Sequence, residues 1–234
     1  RSSDLIGQSH MSESRNQLRP SRTNSPQRQR KTKDPCPRCR LHRDLCLCSL
    51  IQQQDLKTRI TLLIHHREMK RTTNTGLLAI EALANSRLVI RGLQNQTNPL
   101  SEVLDENYET LLLFPSEEAK SLSEILTLRS QTKPNCELRP IHLLVPDGNW
   151  RQASKVHSRH PELATVQRVK ISPQKTATDF LRKETVPDGM ATLEAIAEAL
   201  RLIEGEEVGA ILKTLFQEKL ERTLKGRGQK SPSG

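Results

Sequence analysis

The chain has 234 residues, 37 Lys and Arg against 27 Asp and Glu, and a formal net charge of +10. Only 34% of residues are hydrophobic and 2% aromatic, which predicts one domain of ordinary size with polar segments outside its core. No apolar run approaches the ~20 residues that span a bilayer and no signal peptide is evident, so no membrane partner and a cytoplasmic location are expected; the basic excess points to a polyanion, nucleic acid first.

Residues 1–34 are rich in Ser, Arg, Gln, Asn and Pro, show no apolar periodicity, and read as a disordered basic tail. Residues 1–10 precede Met11, end in Ser-His, and are expected to be a vector-derived leader. Next comes "PCPRCRLHRDLCLCSL" (35–50), where Cys36, Cys39, Cys46 and Cys48 are spaced C-x2-C-x6-C-x-C. Four thiolates this close can form a tetrahedral zinc site and stabilise a module too small for its own core. An iron–sulfur cluster uses the same ligands, but the tight C-x-C arm and the lack of other redox signals favour zinc. His42 is then surplus, and Cys136 stands alone.

From residue 51 the pattern alternates between strands and helices. "TRITLLIHH" (58–66) reads as a strand, "NTGLLAIEALAN" (74–85) as a helix capped by Asn74 or Thr73, and "SRLVIRG" (86–92) as a short buried strand. "ETLLLFP" (109–115) is a strand stopped by Pro115, and "SEEAKSLSEIL" after it opens like a capped helix. "RPIHLLVPDGNW" (139–150) gives a strand and turn, "RQASKVHSRH" a helix ended before Pro161, and "ATVQRVKIS" (164–172) a further strand. Two amphipathic helices, 192–205 and 208–224, close the domain, and 226–234 reads as a tail. Such alternation predicts an α/β fold, a mostly parallel sheet with helices on both faces and ligands beyond the carboxyl ends of the strands.

Three strand ends carry polar or turn residues: "HHRE" (65–68), "FPSE" (114–117) and "PDGNW" (146–150). His65 and His66 lack a second ligand set at metalloprotease spacing, so hydrogen bonding or phosphate contact is the stronger reading. Within "PDGNW", Gly148 permits close approach of a ligand and Asp147 can accept ribose hydroxyls or a proton. Trp150, the only tryptophan, either covers a ligand or plugs the core. No G-x-G-x-x-G after a strand, no Walker loop and no G-x-S-x-G elbow occurs, so NAD binding, nucleotide hydrolysis and serine hydrolase chemistry lose support.

"CPRCRLHRDLCLC", "HHREMKRTTNTGLLA", "LLLFPSEEA", "PDGNWRQASK" and "ATLEAIAEAL", in that order, resemble the DTW-domain family, the tRNA-uridine aminocarboxypropyltransferases. The family is named for Asp-x-Thr-Trp, and here Asn149 stands in place of the threonine. The resemblance implies a SPOUT-like catalytic domain over 51–225, knotted near its C terminus, beside the zinc module. It also implies transfer of the 3-amino-3-carboxypropyl group of S-adenosylmethionine to N3 of a tRNA uridine, releasing methylthioadenosine. Asp147 is then the expected base with Glu68 second. Thr75, Leu113, Phe114, Pro115, Asp147, Gly148, Asn149, Trp150 and Thr192 are the expected donor-binding residues. Arg67, Lys70, Arg71, Arg151 and Lys155 are candidates for the RNA face. The rival readings are a SPOUT-like RNA methyltransferase and a non-catalytic zinc-containing RNA-binding protein.

Overall fold

The computed structural model describes residues 34–93, 100–132, 138–171 and 190–228. The expected tail through residue 33, Cys136 and residues 229–234 lie outside these. Among the described residues six strands form one sheet: β1 (Arg59–His65), β2 (Ser86–Arg91), β3 (Glu109–Leu113), β4 (Lys120–Ser121), β5 (Ile141–Asp147) and β6 (Gln167–Lys170). Their order is β2-β1-β5-β3-β6-β4, and every pairing is parallel. The helices are α1 (Gly76–Ala82), α2 (Leu122–Thr132), α3 (Trp150–Ala153), α4 (Lys155–Arg159), α5 (Thr192–Glu204) and α6 (Glu206–Gly226).

A strand buried on both faces needs a mostly apolar run, which β1 and β5 carry; their one polar interruption each, Thr61 and His142, pair with one another at 2.8 Å. Alternation along the strands divides the core. Ile60, Leu62, Ile64, Leu143 and Val145 face a cluster built with α1, α5 and α6; Leu63, Leu112 and Leu144 face a smaller one with Leu100, Val156 and Leu163. The sheet is thus covered on both faces. α5 and α6 are joined at Gly205, whose φ of 113° disfavours other residues. They then approach so closely that a Cβ on Gly209 would lie 2.5 Å from Arg201 Cβ.

Chain order and spatial order part company at the centre. From β1 the chain passes through α1 to β2 on one side, whereas from β5 it passes through α4 to β6 on the other. α1 and α4 lie on opposite faces, so the carboxyl ends of β1 and β5 form a topological switch point, where open α/β sheets hold ligands. His65 and Asp147 end these two strands.

Three local expectations need correction. β2 is an edge strand with Leu88 exposed, not a buried one, because only β1 pairs with it. Residues 116–121 are a turn and the short β4, and α2 begins only at Leu122, because Lys120 and Ser121 pair with Val169 and Lys170. The helix expected over 151–160 is two short ones meeting at Ser154.

Candidate active site and metal centre

Asp147 is 4% exposed, and both carboxylate oxygens are engaged. Asn74 donates from Nδ2 to Oδ2 and Thr192 from Oγ1 to Oδ1, each at 2.5 Å. Asn74 uses its other end as well: Oδ1 accepts from the backbone N–H of Leu77 in the first turn of α1, at 3.0 Å. Its neighbour Thr75 accepts from the N–H of Leu193 at 3.3 Å, in the first turn of α5. The end of β5, the start of α1 and the start of α5 are therefore tied into one junction. The partners are 73 and 45 residues apart in sequence, and charge-assisted bonds such as these are the strong ones.

Beyond Asp147 the backbone turns at Gly148, where a Cβ would lie 2.8 Å from Gln152 Oε1. Asn149 caps α3: its Oδ1 accepts from Gln152 N at 3.0 Å, and Gln152 Oε1 accepts from Asn149 N at 2.9 Å. Asparagine ranks at least with threonine as a cap, so this exchange of Asn149 for the family's threonine keeps the turn. Trp150 is 42% exposed and tilted against Phe114, ring centroids 4.9 Å apart. It is not a core plug: exposed Trp150 and half-buried Phe114 form an aromatic pair at the ends of β3 and β5. Leu113 is buried and Pro115 is exposed.

The loop after β1 brings Glu68 to full burial, with Arg71 Nε 3.2 Å from Oε1. Arg67, Lys70, Arg71 and Arg151 are exposed and Lys155 half-buried. All five follow the adjacent strands β1 and β5, so they stand along one edge of the sheet. Arg91, at the end of β2, is a residue that sequence reasoning missed: 7% exposed, it donates from Nε to the carbonyl of Leu63 at 3.3 Å. Burial pulls its guanidinium down to about 10; Arg159 adds to this and Asp147 opposes it. Burial likewise lowers His65, with His66, Arg91 and Arg67 acting in the same direction.

Cys36, Cys39, Cys46 and Cys48 converge, with all four sulfurs within 4.8 Å of one another. The closest pairs are 3.5, 3.6 and 3.7 Å apart, near the roughly 3.8 Å between sulfurs of a tetrahedral site with Zn–S bonds of about 2.3 Å. Burial, with Cys46 and Cys36 adjoining, pushes the Cys48 thiol up to about 12. Burial also opposes ionisation of Cys36, but hydrogen bonds from the backbone at Cys39 and Arg38 outweigh it and bring that thiol to about 6. Four thiolates at this spacing call for a cation, and the donor set suits zinc. His42 accepts from Asp44 N at 3.3 Å and takes no part. From α6, Lys219 Nζ donates to the carbonyl of Cys39 and Arg222 Nη1 to that of Cys46, each at 2.5 Å, so the module is docked onto the C-terminal helix.

The model of the DTW domain matches residues 33–224, a span that takes in the cysteine cluster, the Asp147 junction and both closing helices. The chain belongs to the DTW domain family. It is 22% identical over 179 residues to tRNA-uridine aminocarboxypropyltransferase 2 of Macaca fascicularis, covering 74% of this chain and 58% of that protein. Its identity to the mouse protein of the same name, from Mus musculus, is also 22%, over 174 residues, 72% of this chain and 56% of the relative. The chain thus spans less than two thirds of the length of these curated relatives. No solved structure matches it.

Proposed function

We propose that this DTW protein is a tRNA-uridine aminocarboxypropyltransferase, working in the cytoplasm with S-adenosylmethionine as donor and N3 of a uridine as acceptor. The observation that carries the reading is the junction at the switch point, where three stretches typical of the family are tied around Asp147 beside the exposed Trp150. The SPOUT-like arrangement with a knot near the C terminus belongs to the same proposal; residues 172–189, between β6 and α5, lie outside the described residues.

S-adenosylmethionine supplies a methylene activated by the adjacent sulfonium: an N3–C bond forms as the C–S bond breaks, the thioether leaves neutral, and the N3 proton passes to a base. The protein's share is placement and proton acceptance. A carboxylate offers about four lone-pair sites, so Asp147 can hold Asn74 and Thr192 and still accept a proton. Glu68, buried on the neighbouring loop, is the second candidate. Trp150 and Phe114 offer an aromatic wall against which a cationic sulfonium is favoured. Gly148, Asn149, Leu113 and Pro115 shape the same strand ends, while Thr75 and Thr192 act by fixing the start of α5.

Arg67, Lys70, Arg71, Arg151 and Lys155 form the basic edge that docks tRNA phosphates. A uridine in a loop, or one extruded from its stack, reaches the pocket. Zinc at the four cysteines holds the N-terminal module in its fold. Product analysis after incubation with S-adenosylmethionine and bulk tRNA tests the reading. Methylthioadenosine is expected; adenosylhomocysteine would mean methyl transfer instead.

A further inference from the structure

Arg91 is a costly residue for the fold as it stands. It is 93% buried (7% exposed), yet its side chain's one hydrogen bond among the described residues goes to the carbonyl of Leu63, and Nη2, which is buried, has none. A guanidinium carries five N–H donors in a fork matched to a carboxylate or phosphate. The groups around it add to the demand for an anion. Arg159 is the cation within electrostatic range, while His65, its register partner on β1, and His160 are held below the usual histidine range by burial and stand near it as polar groups. Buried Nδ1 of His66 also lacks a partner. The neighbouring anion is Asp147, whose oxygens take Asn74 and Thr192. A buried cation so poorly paired destabilises the fold, and a ligand of opposite charge offsets that.

Position narrows the ligand. β2 and β5 flank β1, so the backbones of Arg91 and Asp147 end strands two spacings apart, roughly 10 Å at 4.8 Å per step. By alternation Arg91 leaves the sheet on the face of Leu63 and α4 and Asp147 on that of α1 and α5, so a donor serving both lies across the carboxyl end of β1. An amino-acid-bearing donor has that reach. The burial of Arg91 favours a small penetrating anion over the backbone of a folded polynucleotide.

We propose that Arg91 is the seat for the α-carboxylate of the donor's aminocarboxypropyl group, an inference that rests on the function proposed above. Arg91 then fixes which end of the donor lies over β2 and which carbon faces the acceptor. It is a residue of the binding site rather than of the core.

Calorimetric titration of the full chain tests this with two ligands, S-adenosylmethionine and methylthioadenosine, which lacks the carboxylate. R91Q is expected to weaken S-adenosylmethionine binding by about 30-fold or more, as loss of one partner of a buried charge pair does, and to leave methylthioadenosine binding unchanged. R91K, which keeps the charge and loses the fork, should fall between. R91Q is also expected to keep or raise the melting temperature of the ligand-free protein, because it removes an unpaired buried cation. A lowered melting temperature with equal weakening of both ligands would make Arg91 a plain structural residue. Unchanged S-adenosylmethionine affinity with weakened tRNA binding would give the seat to a phosphate and overturn the proposal. Wild-type protein that binds no S-adenosylmethionine would overturn the proposed function, and this seat with it; binding by the wild type that R91Q leaves intact overturns the seat alone.

Discussion

Replacing Asp147 separates its structural load from its chemistry. In D147A the acceptors for Asn74 Nδ2 and Thr192 Oγ1 vanish from a site that is 4% exposed, leaving two donors stranded. Hydrogen bonds to a charged group contribute about 1.5–3 kcal/mol each, so the two together predict a loss of about 3–6 kcal/mol. That is a large part of the 5–15 kcal/mol typical of a domain. In D147N the shape is kept. The new amide oxygen accepts from Asn74, its NH2 donates to the Thr192 hydroxyl, which can turn round, and only charge assistance is lost, about 1–2 kcal/mol. Urea unfolding followed by circular dichroism measures both. The same D147N protein, assayed at a temperature where it is folded, should lose about 10²–10⁴-fold in kcat if Asp147 takes the N3 proton. A D147A protein within about 1 kcal/mol of wild type would refute the junction. Near-normal kcat in D147N would leave Asp147 as an anchor and move the proton to Glu68.

Three further outcomes are expected. C36S should lower the zinc content from one ion per chain and destabilise the module docked on α6; full zinc occupancy by elemental analysis would refute the four-cysteine centre. His142 is fully buried, bonded at 2.8 Å to the Thr61 hydroxyl, and burial, with Arg59 and Arg87 adding to it, depresses it to about 4. Because the unfolded imidazole titrates near 6.5 and the folded one near 4, stability contributed above pH 6.5 is lost as pH falls between these values, up to about 3 kcal/mol. H142Q should flatten that acid limb, and an unchanged slope would contradict the assignment. Substituting Arg67, Lys70 and Arg151 together by alanine should reduce the slope of log K for tRNA against log salt by about 2–3, whereas an unaltered slope would place the RNA elsewhere.

Elements whose burial is local were legible in the sequence. β1 and β5 announce themselves as mostly apolar runs, and α5 and α6 by their helical spacing. What depends on distant partners was not. β5 lies between β1 and β3 although the chain makes it fifth, and β4 exists only because β6 passes beside Lys120 and Ser121. The site follows the same division. Asp147 and Trp150 stood out because they occupy a strand end with a glycine turn, and the cysteines because of their spacing. The Asn74–Asp147 bond spans 73 residues and carries no local signal. Arg91 ends β2 and belongs to no motif that singles it out in the sequence; only its burial does.

Mass spectrometry of nucleosides from tRNA incubated with the protein and S-adenosylmethionine identifies both the group transferred and the atom that receives it. A uridine carrying the 3-amino-3-carboxypropyl group at N3, formed together with methylthioadenosine, is the predicted result. A methylated nucleoside, or tRNA returned unmodified by protein shown to bind S-adenosylmethionine, would contradict it.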